Sequence, residues 1–313
     1  MIAPRIEGSL DGTRIDGKAI SAWVRGRVGE QVRELAELGH QLCLAVVRVG
    51  DDGASEVYVR GKIRACEEVG VASRHVHLPA STTEEHLLRT VRALNEDDTV
   101  DALLVQLPLP GHINEDAVLR AVNPSKDADG FHPHNLGQLF SRYALLEPCT
   151  PSGMMFLLHA VGVDLTGLHA VVVGRSVIVG RPIAEMLVRG NATVTICHRH
   201  TRELERHVRA ADLVIVAAGV PHLVKGDWIR EGAVVLDVGI TRMEDGRLCG
   251  DVEFEVAASR AAAITPVPGG VGPMTIAMLL WNTVLAARQR RFGEDNALAA
   301  ARTLWGVEQQ GER

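Results

Sequence analysis

Tyr58 and Lys62 stand four residues apart in Ser55–Val69, a stretch that reads as a helix, so both project from one face. A phenol and an amine so placed can move a proton. A tyrosine packed on a lysine stem has the same spacing, so the pair alone does not choose between the two. Gln106 falls at the carboxyl end of an expected strand, Asp101–Val105, the edge where parallel sheets hold ligands. A simple strand cap would look alike. Asp129, in Pro124-Ser125-Lys126-Asp127-Ala128-Asp129-Gly130, falls on the loop beyond it, either as a ligand or as an ordinary turn carboxylate.

A second constellation lies in the other half of the chain. After the apolar His169–Val173 comes Gly174-Arg175-Ser176-Val177-Ile178-Val179-Gly180-Arg181-Pro182, then the helical Ile183–Val188. A strand, a glycine turn and a helix start present free backbone N–H groups and the helix dipole to a pyrophosphate. The pattern is Gly-x-Ser-x-x-x-Gly rather than the usual Gly-x-Gly-x-x-Gly, and Ser176 still permits close approach and offers a hydroxyl. The next expected strand, Thr193–Cys197, ends in His198-Arg199-His200-Thr201, without the carboxylate that accepts ribose hydroxyls of NAD. Arg175 and Arg199 instead suit the 2′-phosphate of NADP. A pair of solvated arginines is the alternative.

The elements that must position these residues alternate apolar blocks with amphipathic stretches, which implies β-α-β units, parallel sheets and an α/β fold class. With 313 residues, two domains are expected. Ile15–Leu38 reads as a helix with Ile20, Trp23, Val24, Val28, Val32 and Leu35 recurring near the 3.6-residue period, and Gly39 as its stop. Strands are expected at Leu42–Val49, Ser73–Leu78 and Asp101–Gln106, with a helix at Glu84–Leu94. Pro108–Pro151, rich in Pro, Gly, Asn and His, reads as long loops. The second half offers strands at His169–Val173, Thr193–Cys197, Leu213–Ala217 and Val234–Val238. A Pro- and Gly-rich loop then precedes an apolar helix, Met274 to about Arg290, expected to pack back on the first domain. The tail Arg291–Arg313 is polar, with Leu298, Leu304 and Trp305 docking it loosely.

Bulk composition narrows the function classes. Hydrophobic residues are 46% and charged residues 23%, as in globular domains, and the net charge of −6 attracts no polyanion. No nucleic-acid partner is expected. Apolar runs are strand-sized, the N-terminus has no apolar signal core, and the expected setting is the cytoplasm with no membrane partner. The five cysteines are odd in number and lack a Cys-x-x-Cys, which supports neither a disulfide framework nor a zinc site; no metal is expected.

Taken together, the motifs resemble those of the bifunctional methylenetetrahydrofolate dehydrogenase/methenyltetrahydrofolate cyclohydrolase family. The likeness runs through Asp16-Gly17-Lys18, Val49–Ser55 with Tyr58, Val59 and Lys62, Val105–Pro110, Lys126–Pro133 and Pro148–Pro151. It continues through Gly174–Ser176, Asp237-Val238-Gly239, Gly250-Asp251-Val252 and Thr265–Pro273. The resemblance implies an N-terminal α/β catalytic domain, residues 1–149, completed by a C-terminal helix in 274–313. It also implies a Rossmann-type parallel-sheet dinucleotide domain over 150–273, and a homodimer. By the same likeness, Lys62, Tyr58 and Gln106 are catalytic, and Asp129, Tyr58, Pro268, Gly269 and Gly270 bind the tetrahydrofolate substrate. Gly174, Arg175, Ser176, Arg199 and Ile240 match cofactor contacts. The family often carries serine where this chain has Arg199.

The chemistry agrees with this inventory. The reactive CH2 of 5,10-methylenetetrahydrofolate sits between two nitrogens whose lone pairs stabilise the cation left by hydride loss, so that step needs positioning more than a base. Hydration of the methenyl product to 10-formyltetrahydrofolate does need proton transfer, and Lys62 is the candidate. Tyr-x-x-x-Lys also occurs in short-chain dehydrogenases, but there the glycine turn precedes the pair, and here it follows. A binding protein that has lost catalysis would be expected to have lost part of the set Tyr58, Lys62, Gln106 and Asp129.

Overall fold

The computed structural model describes residues 6, 9–51, 53–141 and 144–305, without the side chains of 53–58. The chain opens with β1 (Leu10–Asp11), β2 (Arg14–Ile15) and α1 (Gly17–Glu37). There follow β3 (Cys43–Val49), α2 (Gly53–Val69), β4 (Ala72–Leu78), α3 (Glu84–Glu96) and β5 (Ala102–Val105). Three helices come next: α4 (Glu115–Ala121), α5 (Pro133–Phe140) and α6 (Cys149–Ala160). Then β6 (His169–Val173), α7 (Gly180–Arg189), β7 (Thr193–Cys197), α8 (Leu204–Arg209), β8 (Leu213–Val216) and β9 (Val234–Asp237) alternate. A small ladder, β10 (Thr241–Arg242) with β11 (Leu248–Cys249), precedes α9 (Phe254–Ala258) and β12 (Ala263–Ile264). The chain ends in α10 (Val271–Phe292) and α11 (Glu294–Leu304). No described helix is long and apolar enough to cross a membrane.

The chain divides into two compact units, one of residues 1–22 with 150–275, the other of 23–149 with 276–313. The long C-terminal helix therefore contributes most of its length to the unit that holds β3, β4 and β5. The first 22 residues fall with the second half instead of with 23–149. The reason is strand pairing: β2 lies parallel to β12, and β1 pairs antiparallel with β2, so both join the larger sheet. Ile15, expected to begin a helix, belongs to β2, and α1 starts at Gly17 where Asp16 Oδ1 accepts the Lys18 and Ala19 N–H groups at 3.0 Å.

In the unit of residues 23–149 and 276–313, the sheet order is β4-β3-β5, all parallel. The central strand β3 is buried on both faces and apolar apart from Arg48, as a covered parallel strand tends to be, and Ala45 and Val47 pack with Leu87, Val91, Val100 and Leu103. The segment read as loops holds two short helices, α4 and α5, each too brief to show a period, and the start of α6. Asn114 caps α4 by accepting the Ala117 N–H at 3.2 Å, and His132 caps α5 through the His134 N–H at 3.0 Å with Pro133 at the first helical position. Among its described residues the tail is helical too: α11 buries Ala297, Ala300 and Leu304, so its docking rests on small residues as well as on Leu304.

The other unit carries the seven-stranded sheet, ordered β1-β2-β12-β9-β8-β6-β7. Its core gathers Val171, Val214, Val216, Val235, Ile229 and Ile264. Because β7 lies on one side of β6 and β8 on the other, the winding reverses beside β6, where doubly wound sheets bind nucleotides.

Candidate active site

Lys62 comes from the middle of α2 and is 7% exposed. Its Nζ donates to Gln106 Oε1 at 3.0 Å. Gln106 stands one residue beyond β5, and its own Nε2 donates to the Leu107 carbonyl at 2.7 Å. That second bond fixes the amide with its oxygen toward the ammonium. Tyr58 belongs to the same helix, and its side chain lies outside the described residues.

Asp129 reaches the same neighbourhood from a loop with several anchors. Lys126, 1% exposed, donates from Nζ to the carbonyls of Leu94 at 3.2 Å and Asp97 at 2.8 Å, closing the end of α3. Asp127 accepts the N–H groups of Gly130 at 3.2 Å and His132 at 2.8 Å, and the Asn135 amide at 2.8 Å. Burial pushes the Asp127 carboxyl up to about 6, partly offset by those donors. Burial likewise raises Asp129, while the Lys62 ammonium pulls it back down. Burial also pushes the Cys149 thiol up, helped by the Asp129 carboxylate, so this cysteine is a packed thiol rather than a nucleophile.

The glycine turn after β6 is built for close approach. Gly174 has φ +133°, and a Cβ there would fall 2.3 Å from the Ala217 carbonyl oxygen. A Cβ on Gly180 would fall 2.3 Å from the Gly174 oxygen, so helix α7 starts directly against the turn. Ser176 Oγ accepts the Val179 and Gly180 N–H groups at 3.1 and 3.3 Å, which leaves its proton for a ligand oxygen. A cavity of about 730 Å³ opens here, lined among others by Gly174, Arg175, Ser176, His198 and Arg199. Its size and cationic rim fit a dinucleotide phosphate. His198 and Thr201 close a tight turn, with the His198 N–H on Thr201 Oγ1 at 2.8 Å, and Arg199 projects from it with Nε 3.2 Å from His200 Nε2.

Ile240 is exposed and is not among the described residues lining this cavity; its Cδ1 lies 3.5 Å from where a Gly272 Cβ would stand. Gly269 has φ +109° in the loop that also holds Pro268 and Gly270. A Cβ on Gly17 would sit within the Gly270 carbonyl, which explains the glycine of the Asp16-Gly17-Lys18 motif: the start of α1 lies against this loop.

Two models of one family match, described as tetrahydrofolate dehydrogenase/cyclohydrolase, catalytic domain over residues 15–129 and NAD(P)-binding domain over 148–291. The chain belongs to the tetrahydrofolate dehydrogenase/cyclohydrolase family. It is similar to the bifunctional protein FolD 2 of Geobacter sulfurreducens, 56% identical over 281 residues, covering 90% of this chain and 99% of that one. Among solved structures it is similar to the bifunctional FolD enzyme of Campylobacter jejuni, with 50% identity, TM-score 0.86, and coverage of 88% and 98%. It is also similar to Trypanosoma brucei FolD complexed with NADP cofactor and inhibitor, with 43% identity, TM-score 0.86, and coverage of 90% and 99%.

In this tetrahydrofolate dehydrogenase/cyclohydrolase, two carboxylates that the motif likeness includes without a role hold the site in place. Asp251, 0% exposed, accepts through Oδ2 the Ala218 and Gly219 N–H groups, both at 2.7 Å, at the cavity edge after β8. Asp237 accepts the Gly239 and Asp251 N–H groups on Oδ1 and that of Val252 on Oδ2, at 2.9–3.0 Å. The available signal was a carboxylate inside apolar sequence, which needs several donors to be buried at all.

Proposed function

We propose that this chain oxidises 5,10-methylenetetrahydrofolate to 5,10-methenyltetrahydrofolate with NADP and hydrolyses that product to 10-formyltetrahydrofolate. The observation that carries the reading is the buried Lys62 side chain, whose nitrogen is held at 3.0 Å by Gln106 at the carboxyl end of a parallel strand. NADP supplies the hydride acceptor. Gly174 and Ser176 would hold its pyrophosphate, and Arg175 and Arg199 its 2′-phosphate, which two guanidinium groups recognise and a carboxylate would repel. Residues 1–149 and 274–313 carry the folate chemistry in this reading, and 150–273 the dinucleotide.

In the first step the folate nitrogens stabilise the developing cation, so the protein's part is alignment. The Asp129 carboxylate accepts the adjacent N–H donors of the pterin edge. The Pro268-Gly269-Gly270 loop offers a backbone wall without side chains beyond the proline ring. In the second step water adds to the methenyl carbon, and Lys62, acting as the neutral amine, takes the proton released. The C–N5 bond then breaks as the new hydroxyl's proton passes to N5, which leaves the N10-formyl group. Gln106 keeps the lysine nitrogen at the reacting atoms, and Tyr58 adds a phenol to that set. Ile240 would pack on the cofactor.

The family resemblance supports a cytoplasmic homodimer whose formyl product serves purine biosynthesis. The direct test is absorbance with methylenetetrahydrofolate and either nicotinamide cofactor. Cofactor reduction followed by loss of the methenyl chromophore is expected, with NADP preferred. Reduction of neither cofactor would sink the reading.

A further inference from the structure

Helix α10 is apolar almost throughout its first four turns, yet Asn282 interrupts it at 3% exposure. An amide there must find partners or cost the helix its packing. Its Nδ2 donates to the Ala128 carbonyl at 2.9 Å and the Glu147 carbonyl at 2.8 Å, and lies 3.5 Å from Cys149 Sγ. Those acceptors sit on two irregular segments that are themselves joined. The Cys149 thiol donates to the Ala128 carbonyl at 3.2 Å, and the Cys149 N–H donates to the Asp129 carbonyl at 3.2 Å. Gly130, at φ +73°, completes the join, since a Cβ there would stand 2.4 Å from the Glu147 carbonyl carbon. Asp129 thus lies between Ala128 and Gly130, both pressed against 147–149, and one side-chain amide pins the two strands of the join.

We propose that Asn282 is a positioning residue for pterin recognition, setting the direction of the Asp129 carboxylate by clamping segments 128–130 and 147–149. The proposal rests on the reading that Asp129 receives the pterin. A regular element would orient that carboxylate through a continuous ladder of backbone bonds; this loop has only single ones, Ala128 N–H to the Leu103 carbonyl at 3.1 Å and Gly130 N–H to the Asp127 carbonyl at 3.3 Å, and the clamp holds its other side. Loss of the clamp lets the carboxylate swing while the dinucleotide turn in the other unit keeps its structure. Folate recognition should suffer and cofactor recognition should not.

Four variants test it in the full chain: Asn282→Leu, Asn282→Ser, Asp129→Asn and the Asn282→Leu/Asp129→Asn double variant. Asn282→Leu is expected to raise the KM for methylenetetrahydrofolate about tenfold, with the NADP KM within about twofold of the parent and kcat lowered less than KM is raised. Asn282→Ser, which keeps one donor, should recover part of the loss. In the Asp129→Asn background the leucine should add less than about twofold, because its effect runs through a carboxylate already altered. An unchanged folate KM in Asn282→Leu, beside a raised one in Asp129→Asn, overturns the clamp while leaving the pterin reading intact. A full additive penalty in the double variant also overturns it, since general loosening of the core would act that way. A normal folate KM in Asp129→Asn overturns the pterin reading and the clamp together. Should the leucine variant fail to fold, Asn282→Ser carries the test alone, and an unchanged folate KM there overturns the clamp.

Discussion

The Lys62 ammonium and the Gln106 amide oxygen meet at 3.0 Å, and Gln106 is turned that way because its nitrogen is tied to the Leu107 carbonyl at 2.7 Å. The pair places an amine at the carboxyl end of β5, where the proposed hydration needs a group to take a proton. Lys62→Met keeps much of the stem's packing and removes the amine. Methenyltetrahydrofolate hydrolysis should fall about 10²–10⁴-fold. Dehydrogenase activity should drop but persist, so the methenyl chromophore should accumulate from methylenetetrahydrofolate and NADP. Unchanged hydrolysis would reduce Lys62 to a packed helical lysine.

Asp129 offers two acceptor oxygens, and Asp129→Asn replaces one of them with a donor at constant shape. Both activities should weaken together through poorer folate saturation. NADP affinity without folate, measured by calorimetry, should stay the same. A variant that saturates normally with folate would make Asp129 a turn residue.

Arg175 and Arg199 share the cavity rim beside the Gly174 turn. Arg175→Ala should raise the KM for NADP at least about tenfold and that for NAD far less, the signature of a lost 2′-phosphate contact. Arg199→Ala tests the second guanidinium separately, and its neutrality would mark that arginine as a bystander. Equal efficiency of the parent enzyme with both cofactors would contradict the assignment outright.

Asp237 links stability to pH. Burial pushes its carboxyl up to about 6, with Asp251 adding to the rise and three backbone N–H groups offsetting it. The folded state therefore holds this proton more tightly than the unfolded chain, whose aspartates titrate near 3.8. This stabilising contribution is complete below about pH 4 and is lost as pH rises through about 6, an effect on the order of 2–3 kcal/mol. The stability difference between parent and Asp237→Asn, read from denaturant midpoints, should shift against the parent between pH 4 and pH 7 and be flat above. A difference that does not change across that range would rule out the coupling.

Periodicity and turn chemistry were enough to locate most of the framework in the sequence. Strands such as His169–Val173 and helices such as Glu84–Glu96 are long enough for local burial pattern to dominate. Gln106, Gly174 and Arg175 stood out as candidates because each follows an apolar run, at the edge where parallel sheets hold ligands, and Lys62 through its four-residue spacing from Tyr58. Helices α4 and α5 were not, because seven or eight residues show no period and their Asn114 and His132 caps resemble loop composition. Only the tertiary structure decided that β1 and β2 join the larger sheet, since pairing between Arg14 and Ile264 is non-local and leaves no trace in either segment. It also decided the supports of the site, because Asn282 and Ala128 are 154 residues apart, and Asp251 and Ala218 are 33 apart. A lone polar residue in apolar sequence announces that it must be satisfied; the fold alone determines by what.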